Sequence, residues 1–179
     1  MSELKLTIYD NKIPFTQRDV IYKFCLNSTY KLGWVDTNEP HKYELNTYSS
    51  WSIDDLQTCG IYPYLEMALK STDWFTNTKI EKIVVNLVRS DDVHFIHGHP
   101  ETQVFLYYVN LDWQDGWYGE TVFYNPDDIN SIEYTSSYTP GRIILFDGNI
   151  PHAIRPQSIN APKYRFSLSV FYSVDKILK

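Results

Sequence analysis

Residues 164–172 read Tyr-Arg-Phe-Ser-Leu-Ser-Val-Phe-Tyr, and polar and apolar side chains alternate through the middle of this segment. Side chains of a β-strand point alternately to its two faces, so Arg165, Ser167 and Ser169 should share one face and the apolar residues the other. Burying an unpaired charge costs several kcal/mol or more. The segment therefore predicts a strand whose polar face lines the inside of a barrel and binds something polar there.

The chain before this strand also has the composition of strands. Val, Ile, Phe and Tyr dominate five segments that turn-forming residues separate: 80–89, 104–110, 121–124, 132–134 and 142–146. Further upstream, apolar spacing predicts a helix over residues 17–30 and a second helix after Ser52, interrupted near Gly60 and Pro63. Many short strands with few helices among them predict a mainly β sandwich or barrel, of which the jelly roll is one form. The helices should brace one sheet from outside.

Length and composition limit the remaining possibilities. The 179 residues predict one domain over 1–179, with a helical support region and first strand over about 1–78 and the β core over about 79–174. A net charge of −6 argues against a nucleic-acid partner. No apolar run approaches the roughly 20 residues of a membrane span, and residues 1–10 do not resemble a signal peptide. Cys25 and Cys59 are too few for a disulfide framework, so we expect reduced thiols and a cytoplasmic location. The sequence carries no indication of an oligomeric state.

Four of the five histidines lie in or near the β core. His97 and His99 should point to the same face of an extended chain, and His152 arrives from a distant strand. Three imidazoles that converge in this way could share one metal ion. By the same alternation His94 points to the opposite face, so we interpret it as structural or substrate-side and not as a ligand.

The inward arginine predicts a second polar centre. A guanidinium grips a carboxylate through two parallel hydrogen bonds, and Tyr108 on the strand over 104–110 could offer its hydroxyl to the same anion. The alternative is that Arg165 pairs with a carboxylate of the protein and that Tyr108 is a core residue.

Six segments occur in the order that is typical of one enzyme family. They are 97–99 (HGH), 106–113 (LYYVNLDW), 118–123 (YGETVF), 140–147 (PGRIILFD), 150–152 (IPH) and 164–167 (YRFS). Together they resemble the Fe(II)- and 2-oxoglutarate-dependent dioxygenases, and within them the prolyl-4-hydroxylase-like branch. The resemblance runs from about residue 93 to residue 172, which is nearly half of the chain.

The resemblance implies a fold, a site and a reaction. The family fold is a double-stranded β-helix, a jelly-roll barrel. His97 and His152 would bind Fe(II), Arg165 would pair with the distal carboxylate of 2-oxoglutarate, Tyr108 would support that contact and Ser167 would assist. The reaction would use O2 to decarboxylate 2-oxoglutarate to succinate and to hydroxylate a peptidyl proline or a small molecule.

The chain departs from the family at one ligand position. His99 stands where the family has aspartate, and an imidazole in place of a carboxylate leaves the metal site one unit more positive. Three outcomes are open: His99 completes a three-histidine site, Glu101 supplies the carboxylate after a local shift of register, or the site has lost oxygenase activity.

Two further functions are compatible with the same residues. One is a three-histidine dioxygenase of cupin type that does not use 2-oxoglutarate, and the other is a non-catalytic module that binds a metal or a 2-oxoacid. Trp113, Trp117 and Tyr118 could rim a cleft for a peptide or a flat small molecule, or could be ordinary packing residues of a loop.

Overall fold

The computed structural model describes residues 4–34, 46–76, 79–92 and 94–173. Residue 174, the predicted end of the β core, and residue 93, where the family resemblance begins, lie outside these ranges. Three helices occur in this part of the chain: α1 Phe15–Leu26, α2 Ile53–Thr58 and α3 Tyr62–Lys70. It also contains ten strands: β1 Leu6–Tyr9, β2 Lys31–Trp34, β3 Asn46–Ser50, β4 Ile80–Val88, β5 Thr102–Tyr108, β6 Thr121–Asn125, β7 Asp128–Ser136, β8 Ile143–Asp147, β9 His152–Ile154 and β10 Arg165–Ser173. Across these ranges no helix combines the length and the apolar character needed to cross a membrane.

The strands form two antiparallel sheets. The larger sheet has the order β1-β8-β5-β10-β4-β3-β2, and the smaller has the order β7-β6-β9. The inner faces of the two sheets pack together, as in the edge-to-face contact of Phe123 with Phe146 at 5.1 Å between ring centroids. This confirms the predicted mainly β jelly-roll architecture.

Strand β10 lies in the middle of the large sheet, between β4 and β5. Its register places Ser167 opposite Asn86 on one side and opposite Tyr108 on the other. The predicted alternation holds, because Phe166 and Leu168 belong to the core outside the barrel whereas Ser167 and Ser169 face the inside.

The helices cover the outer face of the large sheet, as predicted. Ile21 and Cys25 of α1 and Leu65 of α3 are buried in the same cluster as Val85 and Tyr107 of the sheet. Full burial of an aliphatic side chain contributes about 1.5–3 kcal/mol, so this layer stabilises the sheet from behind.

The helix boundaries follow local chemistry. The side chain of Ser52 accepts a hydrogen bond from the Asp55 amide, and the Asp55 carboxylate accepts one from the Ser52 amide, which is a complete capping box at the start of α2. Gly60, at φ +74°, lies between α2 and α3 and accounts for the predicted interruption. Pro63 lies in the first turn of α3, where proline is tolerated because that turn has no hydrogen-bonded amide to lose.

Several short strands were not predicted from the sequence. One strand was expected before residue 79, but β1, β2 and β3 all lie there, and β9 was also missed. These four strands have three to five residues each, too few for alternation to be distinguished from a loop. Their pairing with longer strands, such as β1 with β8, supplies the hydrogen bonds that local sequence does not predict.

Candidate active site

Three histidine side chains converge inside the barrel. His97 and His152 face each other across an isolated antiparallel bridge, with N···O distances of 3.0 and 2.8 Å between their backbones. One ring nitrogen from each of His97, His99 and His152 lies within 4.8 Å of the other two. The ring centroids are 4.6 to 5.1 Å apart. We refer to these residues as the three-histidine cluster, and it is the convergence that the sequence predicted.

Backbone carbonyls orient two of the rings. Nδ1 of His97 lies 3.0 Å from the carbonyl oxygen of Phe95, and Nδ1 of His152 lies 2.8 Å from that of Ile150. A carbonyl oxygen can only accept, so Nδ1 is the donor in each contact and Nε2 is the nitrogen left to bind a metal. A metal-binding histidine is commonly held by such a contact from its other nitrogen.

Gly148 positions the third ring through the backbone. The amide of His99 donates to the carbonyl oxygen of Gly148 at 2.6 Å, and the Thr102 hydroxyl donates to the carbonyl oxygen of His99 at 2.7 Å. A Cβ at position 148 would overlap that same His99 oxygen and the Thr102 side chain. Glycine is therefore required for the close approach of the two segments. The ring of His99 then meets Phe171 edge to face at 4.7 Å.

Burial keeps two rings of the cluster, His99 and His152, uncharged. Burial, followed by the charges of His97 and Lys82, lowers the pKa of His99 to about 3. Burial also places the pKa of His152 well below its ordinary value, with smaller contributions from His97 and His99. Because a metal binds the neutral imidazole, these rings are in the protonation state that coordination needs.

Glu101 does not join the cluster. Its side chain is exposed and lines a different cleft, together with Lys5, Asp147 and Asn149. Among the described residues, the group able to hold a metal consists of three histidines and includes no carboxylate. The structure therefore does not support the register shift that would have made Glu101 a ligand.

Arg165 forms the second polar centre. Its side chain is completely buried, and Nε donates to the carbonyl oxygen of Gly119 at 2.8 Å. The guanidinium lies 5.3 Å from the ring centroid of Tyr108 and 4.6 Å from that of Tyr138, in cation–π geometry. No carboxylate in the described ranges lies within the 4.0 Å of an ion pair with it. The structure therefore does not support the alternative that Arg165 forms a salt bridge with a carboxylate of the protein.

A hydroxyl group lies beside each terminal nitrogen of this guanidinium. Ser167 Oγ lies 3.4 Å from Nη1, and Thr121 Oγ1 lies 3.5 Å from Nη2. The Tyr108 hydroxyl donates to the same Thr121 oxygen at 2.8 Å. Burial lowers the pKa of Arg165, and the nearby hydroxyls of Tyr108 and Tyr138 and the carboxylate of Glu120 act in the opposite direction. The structure therefore brings together all three residues predicted around this centre.

Thr121 and Tyr138 belong to this centre although neither was singled out from the sequence. Thr121 is the first residue of β6. The sequence pointed to it only indirectly, because it lies in the family-typical segment 118–123. Tyr138 lies in a loop, where no periodicity applies, and it stacks on Tyr108 at 4.5 Å.

The two centres share one cavity. The cavity lies between the sheets, and its walls include the three-histidine cluster together with Thr121 and Ser167, both of which are hydrogen-bonded to Arg165. His94 lines the same cavity, contrary to the face expected for it. Residues 94–96 form no strand, so strand alternation does not apply to them.

The three aromatic residues proposed for a substrate cleft lie elsewhere. Trp113 packs against Trp117 at 5.8 Å and against Tyr138 at 4.4 Å, and its indole nitrogen donates to the carbonyl oxygen of Tyr118 at 2.8 Å. Trp113 and Tyr118 line a separate cleft, and none of the three lines the histidine cavity. For Trp113 the contacts are those of loop packing.

No protein-family model and no curated protein matches the sequence. Among solved structures, a prolyl hydroxylase from Trichoplax adhaerens, in complex with a hypoxia-inducible-factor oxygen-degradation-domain peptide, superposes with a TM-score of 0.73. The two share 16% identity over 96% of this chain and 84% of that one. A Pseudomonas putida prolyl-4-hydroxylase gives a TM-score of 0.67 at 13% identity, over 96% of this chain and 94% of that one.

The chain has the prolyl hydroxylase fold. HygX from Streptomyces hygroscopicus, solved with nickel and 2-oxoglutarate bound, is also similar, with a TM-score of 0.68 and 9% identity over 97% of this chain and 84% of that one. The resemblance stated from the sequence is therefore confirmed at the level of the prolyl hydroxylase fold, with a His-x-His segment where that family has His-x-Asp.

Proposed function

We propose that this protein is a non-haem iron oxygenase that couples the decarboxylation of 2-oxoglutarate to the hydroxylation of a substrate. One observation carries the proposal. A cluster of three imidazoles lines a cavity, and a buried guanidinium with no ion-pair carboxylate among the described residues contacts two hydroxyl groups that line the same cavity. That is the pair of sites that a metal-bound dicarboxylate requires.

The donor set fits a divalent metal. His97 and His152 would hold it through Nε2, since Nδ1 of each is occupied by a backbone carbonyl, and His99 would supply a third ring nitrogen. Imidazole ligands suit iron, but also nickel, copper and zinc. With no carboxylate ligand the site is one unit more positive than a two-histidine, one-carboxylate site, which favours a dianionic co-substrate.

Arg165 would hold the distal carboxylate of 2-oxoglutarate. Its Nε donates to Gly119, and its two terminal nitrogens lie beside the hydroxyls of Ser167 and Thr121, which line the cavity. Tyr108 fixes the Thr121 hydroxyl by donating to it. A buried guanidinium gains most from an anion because the low-dielectric surroundings strengthen their attraction.

The bound iron would supply the O2 chemistry that converts 2-oxoglutarate to succinate and inserts oxygen into a C–H bond. The chain's own contribution is orientation and the exclusion of water. The apolar walls of the cavity, among them Leu106, Phe146 and Phe171, limit access to the cluster. Exclusion of water from such a site strengthens every polar contact inside it.

The substrate that we propose is a peptidyl proline or a small molecule. The similarity to a prolyl hydroxylase solved with a peptide supports the first class. We further propose that residues 1–179 act as one oxygenase domain, because the helices share a core with the large sheet and the large sheet shares a second core with the small one. The two cysteines are free and buried, which supports the expected cytoplasmic location, where thiols stay reduced.

Anaerobic addition of 2-oxoglutarate to the Fe(II)-loaded protein tests the proposal. A visible charge-transfer band, followed by succinate release when O2 is admitted, is the expected result. A band without succinate would indicate the binding module. Oxygen uptake without any effect of 2-oxoglutarate would indicate the cupin-type dioxygenase, and either result would contradict the proposed activity.

A further inference from the structure

His94 lines the cavity and carries a buried polar atom without a hydrogen-bond partner among the described residues. Its side chain lines the same cavity as the three-histidine cluster, but it is not a member of the cluster. Its Nε2 atom is buried and has no hydrogen-bond partner in the part of the chain that the structure describes. Leaving such a group unsatisfied costs about 1–3 kcal/mol, so a binding role is a better explanation than packing.

The surroundings of His94 determine what it can bind. Burial, followed by the positive charge of Arg165, lowers the pKa of His94 to about 4, so the ring is neutral near pH 7. A neutral imidazole has one N–H donor and one acceptor nitrogen. Among the charged groups around the ring, Arg165 affects it most, ahead of Asp92 and His97. The His94 ring is therefore close enough to Arg165 for its charge to act on the ring, and it is close to the place where Arg165 would bind an anion.

The residues that line the cavity also favour an anionic ligand. Asn86 and Ser167 are direct partners on β4 and β10, and both line the cavity along with His94. A dicarboxylate with one end on Arg165 and the other at the three-histidine cluster must pass between these walls. Its oxygen atoms are hydrogen-bond acceptors in need of donors.

We propose that His94 donates a hydrogen bond to 2-oxoglutarate in this cavity and is a further binding residue for the co-substrate. The inference rests on the proposed function, since it assumes that 2-oxoglutarate is the ligand. It gives a role to the one histidine of the cavity that the metal set does not use.

The test measures 2-oxoglutarate binding and not turnover. The Ni(II)-loaded protein is titrated with 2-oxoglutarate by calorimetry, for the parent and for His94→Leu and His94→Gln. A hydrogen bond to a charged group corresponds to about a 10-fold or greater loss of affinity in His94→Leu. His94→Gln keeps an N–H donor and should retain most of the affinity. Asp91→Asn, an exposed change on the preceding loop, is the matched control and should bind like the parent.

Each result supports or overturns this role for His94. If His94→Leu binds 2-oxoglutarate as tightly as the parent does, the inference is wrong and the proposed function stands. The inference is also wrong if His94→Gln is as weak as His94→Leu, or if a folded His94→Leu loses Ni(II), because His94 would then be a packing residue or a ligand. If the parent itself binds no 2-oxoglutarate, the proposed function fails, and this inference fails with it. Circular dichroism of every variant establishes that it is folded.

Discussion

Replacing Arg165 by methionine should separate stability from function. Methionine keeps the length and apolar stem of arginine and removes the charge. In the metal-free protein the change loses the hydrogen bond to Gly119, worth about 0.5–1.5 kcal/mol, and cation–π contacts with Tyr108 and Tyr138 of about 0.5–2 kcal/mol each. It also removes the desolvation cost of a buried charge, which amounts to several kcal/mol. These contributions nearly cancel, so Arg165→Met should be about as stable as the parent.

Binding of 2-oxoglutarate should respond very differently. Loss of one partner of a buried charge pair costs about 2–5 kcal/mol, which is an affinity loss of about 30-fold or more. Calorimetry on the Ni(II)-loaded protein measures this loss, and urea unfolding of the metal-free protein measures the free energy of unfolding.

Arg142→Met is the matched control. Arg142 forms a bidentate pair with Asp10 at 2.8 Å near the surface, so its removal should lower stability by up to about 1 kcal/mol and leave 2-oxoglutarate binding unchanged. The proposed role of Arg165 is refuted if Arg165→Met lowers the free energy of unfolding by more than about 3 kcal/mol while 2-oxoglutarate binds normally, since Arg165 would then be a structural residue.

Three further predictions concern the metal set and its support. Alanine at any one of the three clustered histidines should abolish stoichiometric Fe(II) or Ni(II) binding, measured by calorimetry, and should leave the circular dichroism of the fold unchanged. Glu101→Gln should bind metal like the parent. The reverse pattern would make Glu101 the ligand. Gly148→Ala should lower both the unfolding temperature and the metal affinity, because its Cβ overlaps the backbone that carries His99, and unchanged metal binding would show that the close approach is dispensable. The hydrogen bond from Arg142 lowers the pKa of Asp10 below its ordinary 3.8, so its stabilisation is complete above about pH 4 and is lost as the pH falls through the lowered pKa. Asp10→Asn should therefore destabilise the protein by about 0.5–1 kcal/mol at neutral pH and much less in acid, and equal destabilisation at both pH values would contradict this assignment.

Long strands with a clear alternation of polar and apolar residues could be predicted from the sequence, and short strands could not. Strand β10 has nine residues with clear alternation, and both its position and its inward face were predicted correctly. Strand β9 has three residues, and it exists because its backbone pairs with β6. Such a pairing depends on a distant segment of the chain, so no local sequence pattern predicts it.

The same distinction applies to the cavity. The i, i+2 spacing predicted that His97 and His99 converge, and they do so because the backbone of His97 pairs with His152 and that of His99 with Gly148. Tyr138 and His94 lie outside regular strands, so their orientation depends on the path of loops and on long-range packing. Alternation gave the wrong face for His94 for that reason.

The most direct test is the crystal structure of the protein with Ni(II) and 2-oxoglutarate bound. We predict a metal ion bound by the Nε2 atoms of His97 and His152 and by a ring nitrogen of His99, and a 2-oxoglutarate whose distal carboxylate meets Arg165 in the same cavity. A metal bound by His97 and His152 with the His99 ring turned away, or a 2-oxoglutarate bound away from Arg165, would contradict this prediction.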